Sequence, residues 1–309
     1  MEFEIPKDAK VIGVQLPDGL KPKAMEISEK LKSMGYEVLI SGESCFGACD
    51  IDLNLLKIVD VILHFAHTPI LNIKGVVYVP YRVDYDINRV VEVVKSNIRE
   101  KKLALISTAQ YCHKLRDLKE LLEANGYEVE LKKGSRRVVY PGQVLGCNYT
   151  ALRNSKSNTV LFIGDGLFHA IGASVYTGKD VYALNPLSLE ITRVETSGFL
   201  KERYKLISKC VGLERVGFVV SSKPGQNRLR LAKVLIDKAE RAGFIADIVY
   251  LNDLTPEKLY NLPYEFYVNT ACPRISYDDY KNYEKPIITP QEFEILIGER
   301  EEYAIDEIE

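Results

Sequence analysis

One succession of short sequence patterns occurs three times along the chain, and this internal repeat constrains the fold more than any other feature. Each copy opens with an apolar run typical of a buried strand: Val11-Ile-Gly-Val-Gln-Leu16, Leu103-Ala-Leu-Ile-Ser107 and Val216-Gly-Phe-Val-Val220. A polar turn and an amphipathic helix follow. Each helix is predicted to end at a glycine that precedes an aromatic residue, in Gly35-Tyr36, Gly126-Tyr127 and Gly243-Phe244. Strand-like residues resume directly after these glycines.

Two further apolar runs complete each copy, and the last one ends at a proline: Pro80, Pro186 or Pro290. The pattern predicts an α/β fold of three pseudo-repeated units, each a small, mostly parallel four-stranded sheet with flanking helices. The predicted domains are 1–100, 101–208 and 209–309. We expect the acidic residues 299–309 to form a solvated end or a final helix. The alternative is a series of unrelated strand-helix units, since a glycine after a helix is common.

Composition limits the classes of partner. The 309 residues include 41 basic and 43 acidic side chains, a net charge of −2, which argues against nucleic acid or an anionic membrane as the main partner. No apolar run approaches the roughly 18 residues of a transmembrane helix, and the first residues lack the apolar core of a signal peptide. We therefore predict a cytoplasmic protein. Its six cysteines would stay reduced there, which favours metal or redox chemistry over disulfides.

Three of the cysteines fall in predicted loops at the carboxyl ends of strands, one in each unit: Cys49, Cys147 and Cys272. Ligands of open α/β sheets collect at these ends, so the three thiols could converge on one centre. Three thiolates are too few for a closed structural zinc site, which usually has four ligands. They suit a 4Fe–4S cluster with one iron left open. The residues alone leave open that these cysteines merely pack in the core, as free cysteines often do.

The other cysteines and the histidines give weaker signals. Cys45 lies four residues before Cys49, but a Cys-x3-Cys-x2-Cys motif fails because Asp52 occupies the third place. Cys112 precedes His113, so a Cys–His nucleophile is conceivable, although nothing else in that loop supports it. For Cys210 we expect core packing. His64-Phe-Ala-His67 could hold a metal, but ordinary histidines at a strand end are the simpler interpretation.

Several motifs resemble those of one enzyme family across nearly the whole chain. These motifs are Gln15-Leu-Pro-Asp-Gly-Leu20, Gly42-Glu-Ser-Cys-Phe-Gly-Ala-Cys49, Gly142-Gln-Val-Leu-Gly-Cys147, Ser221-Ser-Lys-Pro-Gly-Gln226 and Asn269-Thr-Ala-Cys272-Pro-Arg274. They are similar to those of the diphthamide-synthesis radical enzymes, the 2-(3-amino-3-carboxypropyl)histidine synthases. The family more often has tyrosine where this chain has Phe46. The short length resembles the archaeal form, which works as a homodimer.

The resemblance implies a ligand set and a reaction. Carried over by motif, Cys49, Cys147 and Cys272 hold a 4Fe–4S cluster whose open iron binds S-adenosylmethionine. The reduced cluster delivers one electron to this substrate, and the aminocarboxypropyl radical adds to a histidine of translation elongation factor 2, leaving methylthioadenosine. An electron donor is implied as a further partner. No catalytic side chain beyond the cluster ligands is identified.

Candidate S-adenosylmethionine contacts lie in two loops. The loop containing Gly225 and Gln226 precedes the third helix, where backbone N–H groups could meet a carboxylate. Asp165 could bind the amine, and His169 lies close to it in the sequence. The alternative roles are a turn residue for Asp165 and a packing residue for His169.

Three other functions remain open at this stage. The first alternative is a quinolinate synthase-like enzyme, since that family also has three pseudo-symmetric α/β domains that each give one cysteine to a 4Fe–4S cluster. A non-catalytic, cluster-bearing electron-transfer subunit is the second alternative. The third is a nucleotide-binding protein whose cysteines are structural.

Overall fold

The structure, a computed structural model, describes residues 5–309. The first unit begins with strand β1 (Val11–Gln15), helix α1 (Ala24–Ser33) and strand β2 (Glu37–Ile40). Strands β3 (Val61–Phe65) and β4 (Val76–Val79) follow, and helix α2 (Ile87–Asn97) comes last. The strands form one parallel sheet in the spatial order β2-β1-β3-β4.

The second unit contains β5 (Lys102–Ser107), α3 (Leu115–Ala124), β6 (Glu128–Glu130), β7 (Thr159–Ile163), α4 (Phe168–Thr177), β8 (Asp180–Leu184), β9 (Ile191–Arg193) and α5 (Ser197–Ser208). Its sheet has the order β6-β5-β7-β8-β9. Four strands are parallel, and β9 pairs with β8 in the antiparallel direction. This sheet therefore has one strand more than the sequence predicted.

The third unit contains β10 (Arg215–Ser221), α6 (Leu229–Arg241), β11 (Ile245–Leu251), α7 (Pro256–Tyr260), β12 (Phe266–Asn269), β13 (Ile287–Ile288) and α8 (Pro290–Leu296). Its four strands are parallel, in the order β11-β10-β12-β13. The predicted α/β fold is thus confirmed, since the second, first, third and fourth strands follow the same spatial order in all three sheets.

The three repeated glycines have one conformation in common. Gly35, Gly126 and Gly243 follow the ends of α1, α3 and α6 with φ of 93°, 83° and 91°. A side chain would clash with the backbone at such φ values, so glycine allows the polypeptide to turn sharply from each helix into the next strand. This is the structural reason for the repeated Gly-aromatic pairs.

Packing of the helices crosses the predicted domain boundaries. Helix α2 buries Val90 and Val94 in the core of the second sheet, together with Leu118 and Leu122 of α3. Helix α5 behaves in the same way, because Leu206 joins the core of the third sheet. The last helix of one segment therefore covers the sheet of the next. The division of the chain into domains at residues 100 and 208 stays a prediction, and two hydrophobic cores contain residues from both sides of these boundaries.

Residues 299–309 differ from the expectation of a solvated end or a final helix. They form no helix, and Ile305, Asp306 and Ile308 are buried. Ile305 packs in a core of the second sheet together with Tyr277 of the third unit. The expectation was wrong because the acidic segment contains the apolar residues Ala304, Ile305 and Ile308, and Ile305 packs between two units. Among residues 5–309, no helix is both long and apolar enough to cross a membrane.

Candidate metal centre

Three loops from three sheets meet at the predicted cysteines. Cys49 lies between β2 and β3, Cys147 between β6 and β7, and Cys272 after β12. Backbone hydrogen bonds join these loops to distant segments: the N–H of Gly225 donates to the carbonyl of Cys49 at 3.4 Å, and the N–H of Ile308 donates to the carbonyl of Cys147 at 2.8 Å. The carboxyl ends of the three sheets therefore form one shared site.

The three thiols also interact electrostatically. Burial, opposed by the guanidinium of Arg137 and reinforced by the Cys49 thiol, raises the pKa of Cys147 to about 11. Burial, reinforced by the thiols of Cys49 and Cys147, raises the pKa of Cys272 to about 12. Burial is also the main reason that the pKa of Cys49 is raised. All six cysteines are free thiols. The structure thus brings the three predicted ligands together in one partly buried site.

A loop of the third unit packs directly on Cys49. The side-chain amide of Gln226 donates a hydrogen bond to the Sγ of Cys49 at 3.3 Å. A Cβ at Gly225 would lie 2.4 Å from the Cβ of Cys49, so only glycine allows this approach. The N–H of Gly225 points to the Cys49 carbonyl, and the N–H of Gln226 donates to Lys223. The backbone donors at these two positions are therefore already used.

Lys223 ties the same loop to the first unit. Its ammonium lies 2.8 Å from Asp50 and 2.6 Å from Asp253, and the Lys223 and Asp50 side chains are buried. Buried charges require partners, because desolvation of a lone charge costs several kcal/mol. Sequence reasoning placed this loop near the carboxylate of a bound substrate and missed the ion pairs of Lys223 with Asp50 and Asp253. The adjacent Cys49-Asp50 dipeptide was the available signal.

Two arginines that sequence reasoning missed surround the cysteines. Arg137 donates to the carbonyl of Gly225 at 3.2 Å and lowers the pKa of both Cys49 and Cys147. Arg228 donates to Thr270 at 2.6 Å and to Ala271 at 3.1 Å, just before Cys272. These side chains bring positive charge to the site and hold the backbone of its loops.

Arg228 also holds the C-terminal segment. Its guanidinium contacts the Asp306 carboxylate through two hydrogen bonds, of 2.8 and 2.5 Å. The Asp306 side chain is completely buried. Asn148, next to Cys147, donates to the carbonyl of Ile308 at 3.0 Å. The C-terminal residues therefore lock the Cys147 loop against the third unit.

The two candidate residues of the second unit lie at the start of α4. Asp165 is exposed, and its carboxylate accepts a hydrogen bond from the hydroxyl of Tyr111. Burial, reinforced by this carboxylate, raises the pKa of Tyr111 to about 12. Burial, followed by the charge of Arg274, lowers the pKa of His169 to about 4. The His169 ring stacks on Phe162, with 6.0 Å between centroids. Arg274, two residues after Cys272, thus connects His169 electrostatically to the cysteine site.

Cys112 and Cys210 lie in hydrophobic cores. The thiol of Cys210 donates to the carbonyl of Leu206 at 3.5 Å, as expected for packing. Burial raises the pKa of Cys112 to about 12, and its thiol points to the Ser107 carbonyl at 3.8 Å. A buried thiol with a raised pKa is a poor nucleophile, so the structure does not support a Cys112–His113 pair.

Cys45, His64 and His67 form a second group at the carboxyl end of the first sheet. One ligand atom from each residue lies within 4.8 Å of the other two. The two imidazoles are hydrogen-bonded, with 2.9 Å between Nε2 of His64 and Nδ1 of His67. Burial lowers the pKa of His64 to about 3 and that of His67 to about 4. Both rings are therefore neutral at physiological pH.

Comparisons with known proteins agree with this geometry. A family model described as "Putative diphthamide synthesis protein" matches residues 16–307. The 2-(3-amino-3-carboxypropyl)histidine synthase of Pyrococcus horikoshii is 38% identical, over 99% of this chain and 92% of that protein. The synthase of the same name from Methanocaldococcus jannaschii is 31% identical, over 95% of this chain and 86% of that protein.

Solved structures give the same result for the fold. The crystal structure of Dph2 from Pyrococcus horikoshii with a 4Fe-4S cluster superposes with a TM-score of 0.92. The two chains are 35% identical, and the superposition covers 97% of this chain and 90% of that one.

Proposed function

The chain belongs to the diphthamide synthesis protein family, and from this premise we propose that it is a 2-(3-amino-3-carboxypropyl)histidine synthase, which catalyses the first step of diphthamide biosynthesis. The reaction transfers the 3-amino-3-carboxypropyl group of S-adenosylmethionine to a histidine of translation elongation factor 2. The observation that carries the proposal is the meeting of Cys49, Cys147 and Cys272, one from each predicted unit, in one partly buried site.

The residues of the site fit a 4Fe–4S cluster with three protein ligands. Thiolates are the ligands of such clusters, and Cys49, Cys147 and Cys272 would supply them. Three partly buried thiolates close to one another need compensating positive charge, which the neighbouring Arg137 and Arg228 provide and bound iron would add to. The related structure that superposes over nearly the whole chain contains a 4Fe-4S cluster. When bound, the cluster supplies the electron that cleaves the bond between the sulfonium sulfur and the aminocarboxypropyl carbon.

The side chains around the cysteines have separate tasks in this proposal. Gln226 donates to the sulfur of Cys49 and so stabilises negative charge on it. Arg228 fixes the backbone before Cys272, and Lys223 fixes the loop that covers Cys49. These contacts hold the ligand loops in place around the cysteines.

Four residues are proposed to contact S-adenosylmethionine: Gln226, Gly225, Asp165 and His169. The exposed carboxylate of Asp165 can accept a hydrogen bond from the substrate amine. The neutral imidazole of His169 can donate to or accept from the substrate without adding charge. Because the N–H of Gly225 is used within the protein, the contribution of Gly225 is the close approach of its loop to Cys49, which a side chain would prevent.

The acceptor reaction requires a proton and an electron to leave. Addition of the aminocarboxypropyl radical to a ring carbon of the target histidine gives a radical adduct. Loss of one proton and one electron restores the aromatic ring, and this electron balances the one used to cleave the sulfonium. The ring carbon thus exchanges its proton for the aminocarboxypropyl group, with methylthioadenosine as the other product and no net oxidant. A reductant for the first step, a homodimeric assembly and a cytoplasmic location are further parts of the proposal, which rest on the resemblance to the archaeal form.

The alternatives predict different products. A quinolinate synthase-like enzyme would convert iminoaspartate and dihydroxyacetone phosphate, and a non-catalytic subunit would need a second chain. The names of the relatives that match over nearly the whole length favour the histidine synthase over a quinolinate synthase.

The test is to incubate the anaerobically purified, reduced holoenzyme with S-adenosylmethionine and elongation factor 2. We expect methylthioadenosine and a modified histidine in equal amounts, and we expect both to disappear in Cys272→Ala but not in Cys210→Ala. Formation of neither product by a protein that holds its cluster would contradict the proposal. Conversion of iminoaspartate instead would identify the rival activity.

A further inference from the structure

Cys45, His64 and His67 form a side-chain cluster that the proposed reaction does not use. Cys45 is 2% exposed and His64 is completely buried, while His67 is partly buried. One ligand atom of each residue lies within 4.8 Å of the other two. We propose that these three residues bind a zinc ion at a site separate from the three-cysteine centre. This inference does not depend on the proposed reaction.

The hydrogen bonds of Gln15 fix the tautomer of His64. The Gln15 amide nitrogen donates to the carbonyl of Asp50 at 2.8 Å, and its oxygen accepts from the N–H of Asp52 at 3.3 Å. The same oxygen lies 2.9 Å from Nδ1 of His64. Nδ1 must therefore carry the ring proton, which leaves a lone pair on Nε2. This arrangement, with one ring nitrogen held by an acceptor and the other free to bind, is usual for metal-bound histidines.

The lone pair of His64 points to the other members of the cluster. Its Nε2 lies 2.9 Å from Nδ1 of His67, which donates a proton to it when no metal is bound. Zinc–nitrogen bonds of about 2.0–2.1 Å place two tetrahedral nitrogen ligands about 3.3 Å apart. The two imidazole rings would therefore need to move apart only slightly for the ion to bind both nitrogens. On binding, His67 would change tautomer so that its proton sits on Nε2 and Nδ1 faces the ion, and the Cys45 thiol proton would be released.

The backbone brings His67 back towards His64. Ala66 has a φ of 66°, a conformation that residues with a side chain rarely adopt. Its N–H donates to Val79 at 2.9 Å, and its carbonyl accepts from the side chain of Gln110 at 3.1 Å. These bonds hold the sharp turn after β3. His67 also lines a small cleft with Thr68 and Tyr81.

The donor set selects the type of metal. One thiolate and two imidazoles suit zinc, whereas magnesium and calcium prefer oxygen ligands. Three protein ligands leave a fourth position for water or another small ligand. A bound ion would connect the loop of Cys45, which continues to Cys49, with the carboxyl end of β3. It would also supply the positive charge that a buried Cys45 thiolate requires.

The test measures metal content in the holoenzyme. Protein with its iron centre assembled is equilibrated anaerobically with Zn²⁺, freed of weakly bound metal on a chelating resin, and analysed by mass spectrometry for zinc and iron. We expect about one zinc ion per chain. Cys45→Ser, His64→Gln and His67→Gln should lose the zinc and keep the iron. The matched control, Cys210→Ser, removes another buried thiol and should keep both metals.

Zinc-edge X-ray absorption gives a readout that iron does not disturb. We expect one sulfur and two imidazole nitrogens around the zinc. The proposal is overturned if the wild-type protein retains no more zinc than His67→Gln does. It is equally overturned if the zinc persists in the Cys45 and His67 variants and disappears only in Cys272→Ala, because the ion would then occupy the three-cysteine centre. His67 is the least buried ligand, so His67→Gln serves if His64→Gln fails to fold.

Discussion

The side-chain amide of Gln226 donates a 3.3 Å hydrogen bond to the Sγ of Cys49, and this contact joins the third unit to the first. Hydrogen bonds to ligand sulfurs are one of the ways in which a protein sets the potential of an iron–sulfur centre. The contact is therefore expected to matter for the ease of reduction rather than for metal retention.

Gln226→Ala tests this role. Loss of a hydrogen bond worth about 1 kcal/mol should lower the one-electron reduction potential by about 40 mV, because the reduced state places more negative charge on sulfur. The iron content should stay unchanged. A spectroscopic redox titration measures the potential, with Asn227→Ala as the neighbouring control. An unchanged potential in Gln226→Ala, or loss of iron, would contradict this role.

Gly225→Ala should disturb the site by steric conflict. The new methyl carbon would lie 2.4 Å from Cβ and 2.6 Å from Cα of Cys49, so one of the two loops must move. We expect a loss of stability of about 1–3 kcal/mol, typical of overpacking, and a reduced iron content. Gly198→Ala is the matched control: no atom lies within 4 Å of its added carbon, and α5 should tolerate it or gain stability. Equal behaviour of the two variants would show that the close approach is unimportant.

Asp306→Ala should reveal how strongly the C-terminal segment is held. The change leaves the guanidinium of Arg228 without its buried partner, beside the loop of Cys272. Removal of one member of a buried ion pair costs about 3–5 kcal/mol in the free energy of unfolding. Glu309→Ala removes the exposed partner of Arg153 and should cost no more than about 1 kcal/mol. Urea unfolding measures both, and similar losses would refute a structural role for the segment.

His169 gives the protein a specific sensitivity to acid. Its pKa in the folded state is about 4, below the ordinary value of 6.5, mainly because of burial. Between these two pH values the unfolded chain binds more protons at this position, so the free energy of unfolding falls as the pH decreases. His169→Gln should weaken this dependence by at most about 1.4 kcal/mol per pH unit. Urea midpoints from pH 7 to 4.5 measure it, and parallel curves for the two proteins would contradict the assignment.

The repeat was predictable because its signals are local. Apolar runs, helical spacing and the helix-ending glycines such as Gly35 each act within a few residues, and together they predicted the three mostly parallel sheets and the loops of Cys49, Cys147 and Cys272. The placement of α2 and α5 was not predictable in this way. Their apolar faces are visible in the sequence, but periodicity does not say which sheet they cover.

The charged contacts of the site were missed for a related reason. Arg228 and Asp306 lie 78 positions apart in the sequence, and only tertiary folding brings them together. The acidic composition of the C-terminal residues suggested solvation and hid the buried Ile305 and Ile308. His64 and His67 were considered together as a possible metal pair, but Cys45 was not connected with them, because only the folded chain brings its loop to the end of β3.

The iron content of single cysteine variants tests the central claim most directly. Anaerobically purified Cys49→Ala, Cys147→Ala and Cys272→Ala should each lose most of the iron and the absorbance of the cluster, since each removes one of three ligands. Cys112→Ala and Cys210→Ala, which alter buried thiols in the cores, should keep both. A wild-type protein without iron, or a loss of iron in Cys112→Ala together with its retention in Cys272→Ala, would contradict the account.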